Sequence, residues 1–398
     1  MGISKLLLAA GLISALPVHA ETFYEMSGKV TADLRYFTQE AQFQNQNYDT
    51  NLSFTVEPEF YWEWNDGIDN LTFTPFIRVD ENDSRRTHAD IRELNWIHIG
   101  DNWELRTGIQ KVFWGVTEFQ HLVDVINQTD AVDDFDGEDK LGQQMINLSL
   151  VRDWGIIDLY VLPGFRERTF VGENGRLRGG LAVNDDHATY ESSAGENHID
   201  TAIRWSHTLG DFDLGAYWFH GTNRDPNLQV KNINGTTVLT PHYEQMDQIG
   251  FDLQATIDSW LWKIESIHRD TTSDSYWALQ GGFEYTLYGI QESAADLGVL
   301  IEYGWDERGT DADAAIQNDL FFGARLALND AESTELLAGI SHDLDYDSQS
   351  LIFEASRRVG DDWTLNLDGR FFSSDDPLDL SYNIKQDDHL QFTVERYF

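Results

Sequence analysis

The chain has 398 residues, no cysteine, and a formal net charge of −42, with 27 Lys and Arg against 69 Asp and Glu. That sign excludes nucleic acid as a partner, since phosphate binding needs the opposite charge, and it disfavours a bare anionic lipid surface. Beyond the first twenty residues no apolar run is long enough for a membrane helix, but alternating strands of a membrane barrel would pass the same test.

Residues 1–20 read as an export signal. Lys5 supplies a short positive region, residues 6–16 an apolar stretch too short to span, and Val18-His19-Ala20 a small-residue cleavage site. Residues 21–398 are then one domain, with no linker or shift in composition to mark a second.

The first strand is expected near residues 24–38. Tyr24, Met26, Val30, Ala32, Leu34 and Tyr36 share one face, opposite Glu25, Lys29, Asp33 and Arg35. A Gln/Asn-rich loop over 41–50 follows. The next strand sets Leu52, Phe54, Val56, Phe60 and Trp62 against Ser53, Thr55, Glu57, Glu59 and Glu63. Asn65-Asp66-Gly67 turns into Leu71, Phe73, Ile77 and Val79, which alternate with Thr72, Thr74 and Arg78. Pro58 and Pro75 predict local bulges, because neither can donate to a ladder. Residues 89–115 form a hairpin across Gly100-Asp101-Asn102-Trp103, with Leu105, Thr107 and Ile109 on one face and Arg106, Gly108 and Gln110 on the other.

The same unit recurs to the terminal Phe398. Short connections (such as 152–155, 258–259 and 360–362) alternate with long ones (39–50, 81–89, 116–143, 164–197, 221–241 and 373–385). Seven Trp flank the short turns: Trp62, Trp64, Trp103, Trp154, Trp260, Trp262 and Trp363. Short turns on one rim, long loops on the other and an interfacial aromatic band imply an all-β fold, a transmembrane antiparallel up-and-down barrel. The expected strand number is about eighteen, with sixteen as the alternative.

A barrel of that width is not filled by its own side chains, so function is expected on the lumen face. The residues expected to line the pore are Arg35, Glu57, Glu59, Arg78, Arg106, Gln110, Arg204, Lys263, Glu265, Asp319, Arg325 and Arg370. The loop 116–143 carries an apolar stretch of its own and is expected to fold inward as a constriction. Its marker residues are Trp114, Gly115, Asp124, Asn127 and Asp130. The acidic run 133–139 does not complete a twelve-residue calcium loop and reads as a solvated acidic segment. No cofactor or metal is expected. The twelve His are scattered, His121 and His220 read as rim or loop residues, and no nucleophile stands beside a base, so no enzymatic activity is expected.

Arg92-Glu93, then Leu105 to Lys111 with Gly108-Ile109-Gln110, then Trp114-Gly115, then Val125-Ile126-Asn127 and Asp130 resemble the hairpin and following loop of a porin-like outer-membrane family. That family is a domain-of-unknown-function group similar in layout to the alginate-export and phosphate-selective porins. Its pattern is Gly-x-Gln, Trp-Gly and an Asn-Pro-x-Asp loop; here the loop is Asn127-Gln128-Thr129-Asp130, without the Pro. The motif covers about forty residues, and the resemblance implies a porin-like barrel without naming a substrate. The expectation is a Gram-negative outer-membrane channel for passive diffusion of small hydrophilic solutes, leaning towards cations. Its partners would be outer-membrane lipids, lipopolysaccharide bridged to the acidic loops by divalent cations, and the barrel assembly machinery reading Phe398. A homo-oligomer is compatible with the sequence. The alternatives are a scaffold barrel, or a transporter specific for a polysaccharide or a hydrophobic compound.

Overall fold

The computed structural model describes residues 22–133, 136–312, 314 and 316–398. The expected export signal, the start at Glu21 and the pair Asp134-Phe135 of the acidic run lie outside them.

The strands in chain order are β1 (Phe23–Phe37), β2 (Thr50–Trp64), β3 (Asp69–Asp80), β4 (His88–Ile99), β5 (Trp103–Gln110), β6 (Gln143–Arg152) and β7 (Gly155–Pro163). They continue with β8 (Thr189–Tyr190), β9 (Ile199–Leu209), β10 (Phe212–Thr222), β11 (Asn227–Ile233), β12 (Thr236–Tyr243), β13 (Gln245–Ile257) and β14 (Trp260–Thr271). The last are β15 (Ser275–Leu287), β16 (Asp296–Asp306), β17 (Asn318–Ala327), β18 (Glu335–Asp343), β19 (Gln349–Val359), β20 (Trp363–Ser373) and β21 (His389–Tyr397). Eighteen of these form one antiparallel sheet, and β1 pairs with both β2 and β21, so the sheet closes on itself. The count is eighteen, not sixteen. β8, β11 and β12 form a separate three-stranded sheet within the long-loop rim.

Closure gives the two faces opposite environments. On β1, Leu34 and Tyr36 are exposed on the outside, while Thr31, Asp33 and Arg35 are buried inside. This inverts the arrangement of a soluble protein, as a lipid-facing wall around a polar interior requires. Trp260, Trp262 and Trp363 lie at the short-turn rim and Trp218, Trp277 and Trp305 near the other, each 37–47 % exposed. Trp277 and Tyr285 sit near opposite ends of β15, about 26 Å apart along the strand at ~3.3 Å per residue. Tilt reduces that to the height of a lipid-facing band.

Turn chemistry follows the backbone it must adopt. Asn65, Asp66 and Gly67 all have positive φ, at 54°, 56° and 86°, which this residue set tolerates. Pro75 does produce a bulge: Thr74 faces Glu93 but Pro75 faces Ile91, so Arg92 is the extra residue. Pro58 interrupts the β2–β3 pairing, yet the register resumes unshifted from Val56–Ile77 to Phe60–Phe73.

Candidate functional site in the lumen

The loop expected over 116–143 begins earlier. Strand β5 ends at Gln110 and the loop runs over residues 111–142. Asn127 is the reason. Its Nδ2 donates to the carbonyls of Gln110 and Leu141, both at 2.8 Å, and its Oδ1 accepts from Val112 N at 2.8 Å. One amide side chain thus closes the base of the loop and takes over from the sheet ladder.

Inside the barrel the loop is fixed by side chains of the wall. Glu265 on β14, fully buried, accepts from Val116 N (2.6 Å), Thr117 N (3.0 Å), Thr117 Oγ1 (2.7 Å) and Val123 N (3.2 Å). Glu302 on β16 accepts from Glu118 N at 2.8 Å and Phe119 N at 3.0 Å. Orphan loop amides are thereby satisfied by buried carboxylates, a charge-assisted arrangement stronger than neutral pairing. Phe119 then stacks on Phe321 of β17 with centroids 4.7 Å apart. Gly339 leaves room for it, because a Cβ there would come within 2.5 Å of the Phe321 ring.

Trp114, Val123, Val125 and Ile126 pack against inward residues of β6 to β15, among them Met145, Tyr160, Tyr217, Phe219 and Ile267. Part of the lumen is therefore an apolar core, formed mostly by residues outside the expected pore-lining set. Trp114 lies 4.7 Å from Tyr217 with the Arg204 guanidinium 4.9 Å from its ring. Asp124 accepts from the amides of Trp114 (2.5 Å) and Gly115 (2.9 Å). Gly115 must be Gly, since a Cβ would meet the His121 ring at 2.3 Å.

The acidic half of the loop meets arginines of the opposite wall, while Asp136 and Glu138 of the run 133–139 stay exposed, as a solvated segment would have them. Asp130, fully buried, takes Arg92 Nη1 at 2.6 Å and Thr169 Oγ1 at 2.8 Å. Burial pushes its carboxyl up, but Arg92 outweighs that and holds it below the usual carboxylate range. Asp133 bonds Arg92 at 2.9 Å and also pairs with Arg78; Asp136 lies 3.7 Å from Arg370. Arg92 is the residue that the Pro75 bulge inserts, so a proline on β3 sets the place of a loop ligand on β4. His121 Nε2 is 3.1 Å from Glu138 and its Nδ1 3.7 Å from Glu265. Burial alone would lower this imidazole, but the two carboxylates raise it to about 10.

The expected pore-lining residues divide into three groups. Arg78, Lys263, Glu265, Arg325 and Arg370 contact the loop, with Lys263 3.4 Å and Arg325 2.5 Å from Glu118. Gln110 touches it through its carbonyl. Arg35, Arg204 and Asp319 are buried in wall contacts: Arg35 with Gln391 (2.8 Å), Arg204 bidentate to Asp252 (2.7 and 2.8 Å) while its guanidinium also faces Trp114 of the loop, and Asp319 opposite Asp343. Glu57, Glu59 and Arg106 lie towards the short-turn rim, Glu57 within electrostatic reach of Lys111 at the start of the loop; Glu59 and Arg106 are exposed and Arg106 pairs with Glu104. Below the loop a cavity of about 260 Å³ is bordered by Arg325, Glu335, Glu354, Asn366, Asp368 and Thr393.

Sequence reasoning missed Glu302, Phe119 and Phe321 as loop anchors. Period two marks Glu302 as inward between Ile301 and Tyr303, but nothing local says what it holds. It also read 221–241 as a plain loop, where β11 and β12 pair. Asn234-Gly235 between alternating runs is the signal that predicts that hairpin.

No protein-family model matches the chain, and no curated protein matches it. Solved structures do. Wzi of Escherichia coli, an outer-membrane protein involved in group 1 capsule assembly and described as a carbohydrate-binding β-barrel, is 10 % identical over 94 % of this chain and 84 % of its own, with a TM-score of 0.53. OprB of Pseudomonas putida is 9 % identical over 94 % of each chain, at a TM-score of 0.46. OmpT of Vibrio cholerae is 8 % identical over 96 % of this chain and 99 % of its own, at 0.45. The fold is that of an outer-membrane β-barrel. At these identities the likeness is one of architecture, and what the barrel does has to be argued from its own lumen.

Proposed function

We propose that the protein is an outer-membrane channel for small hydrophilic solutes, of low conductance and leaning towards cations. The observation that carries this reading is the path of residues 111–142, which cross the lumen and bind walls on several sides. Diffusion is then confined to the polar passages that the loop leaves. Below it, Glu335, Glu354 and Asp368 outnumber Arg325 around the cavity, which supports a preference for cations over anions. Counting Arg370, which bonds Glu354 at 2.7 Å, the cavity wall still carries three carboxylates against two guanidiniums, so its formal charge is negative.

The same reading places the barrel in a Gram-negative outer membrane, with lipid and lipopolysaccharide as its surroundings and small polar solutes as its cargo. Phe398, half exposed beside Gly28, would serve the assembly machinery, and a homo-oligomer fits the apolar outer wall. The porin-like family suggested by the Gly108 to Asp130 pattern belongs to this proposal. A barrel specific for a saccharide is the second reading, favoured by the likeness to Wzi and by the aromatic side chains in the lumen.

The deciding experiment is single-channel recording of the mature protein in a planar bilayer under a salt gradient. Small, steady steps with a cation-side reversal potential are expected, and the bias should shrink as salt shortens the ~8–10 Å screening length. Equal cation and anion permeability would overturn the selectivity, and a silent bilayer would overturn the channel.

A further inference from the structure

The geometry at the outer mouth points to a binding site for neutral oligosaccharides, built by the Gln/Asn-rich loop 38–49 with Asn82 and Asn174. It lies outside the constriction and is separate from conduction.

The loop is fixed from beneath by alternate residues. Gln46 is fully buried and its Nε2 donates to Gly175 O at 2.7 Å. Tyr48 accepts from Arg176 N at 3.0 Å, with its ring edge-on to Phe37 at 5.9 Å. Asn45 and Asn47, the residues between, face outward and are exposed. The facing wall is a turn wrapped around Asp83. Gly172 N donates to Asp83 Oδ2 at 2.9 Å, and a Cβ on Gly172 or Gly175 would lie 2.3 or 2.5 Å from that carboxylate. The turn therefore keeps one shape and presents Asn174 outward. Asn82 spends its Nδ2 on Thr50 O (3.0 Å) and Asn51 Oδ1 (2.9 Å), so its position is set.

Arg176 locks the assembly. Its side chain is 1 % exposed and bonds Asp387 at 2.7 Å, Gln386 O at 2.5 Å and Gln39 O at 3.0 Å, while stacking over Phe37 at 4.1 Å. Three outer loops are thus tied at one guanidinium, and the cleft is formed before any ligand arrives, which lowers the cost of binding.

The cleft measures about 460 Å³ and is lined by Asn45, Asn47, Tyr48, Glu81, Asn82 and Asn174, within the ~300–1,000 Å³ usual for small-ligand sites. The side chains of Asn45, Asn47 and Asn174 make no hydrogen bond to other described residues. Each offers two donors and an acceptor, the complement of sugar hydroxyls, which donate and accept in turn. The lining contains no Lys or Arg to hold an anionic glycan or a phosphate, and Glu81 repels both. An apolar ligand would find almost nothing to cover.

The test is isothermal titration of the mature protein in detergent with maltohexaose, cellohexaose and mannohexaose, and with calcium chloride. At least one hexasaccharide should bind, and the exposed triple variant N45A/N47A/N174A should weaken it at least tenfold. That variant should keep the heat-dependent gel shift of a folded barrel and the wild-type conductance. Absence of binding by all three sugars, calcium binding alone, or equal binding by the variant would overturn the site. Sugar binding by a protein silent in bilayers would leave this site standing and overturn only the channel.

Discussion

Glu265 and His121 show how much a few side chains decide here. Glu265 holds the descending arm of the loop through three backbone amides and a hydroxyl, and His121 bridges it to Glu138. The imidazole is raised to about 10, so its charged form is the one the folded loop favours. Its contribution is fully present below the ordinary value of ~6.5 and is lost as pH rises through about 10. Open-channel noise, or proteolytic nicking within 111–142, is therefore expected to rise between pH 7 and 10.5 in the wild type. H121Q should show the high-pH behaviour throughout. A wild-type profile without a step over that range would count against the bridge.

At the scale of elements, the loop is held at its tip by one aromatic stack. Phe119 and Phe321 lie nearly parallel, at 13°, and such pairs contribute about 0.5–1.5 kcal/mol beyond area burial. A double-mutant cycle of F119A and F321A, read from urea unfolding in detergent, should return a coupling of about that size. F119A should also enlarge the conductance by freeing the tip; unchanged conductance with additive stabilities would argue that the tip is held by Glu302 alone. Strand positions were legible in the sequence because period two is a local property, and Leu34 beside Arg35 reveals its face without any partner. The inward fold of the loop was legible in outline from its apolar residues. Its anchors were not, since Phe119 reaches a strand some two hundred residues away, and the pairing of Asp133 and Asp136 with arginines depends on which walls face each other. Asn127 stood out by motif, but its work as a clamp between Gln110 and Leu141 appears only when the two ends of the loop meet.

At the scale of the whole molecule, the barrel depends on one seam, where β1 meets β21. Gly28 (φ 152°) sits there, and a Cβ would lie 2.6 Å from Pro58 Cα and 3.0 Å from the Phe398 ring. G28A is expected to destabilise the folded barrel by about 1–3 kcal/mol, read as a lower urea midpoint with the folded gel band retained at low urea. An unaltered midpoint would show that the strand ends relax freely. The seam also has a kinetic side. Every other pairing in the barrel joins barrel strands that follow one another along the chain, whereas Asp33 Oδ1 accepts from Thr393 Oγ1 across a sequence separation of 360 residues. Closing so long a chain segment carries the largest entropic cost of any step. Until it happens, two full strand edges stand open to any neighbour. The pairing of greatest sequence separation is then also the one that removes both open edges, and whatever accelerates the meeting of those two strands protects the whole sheet.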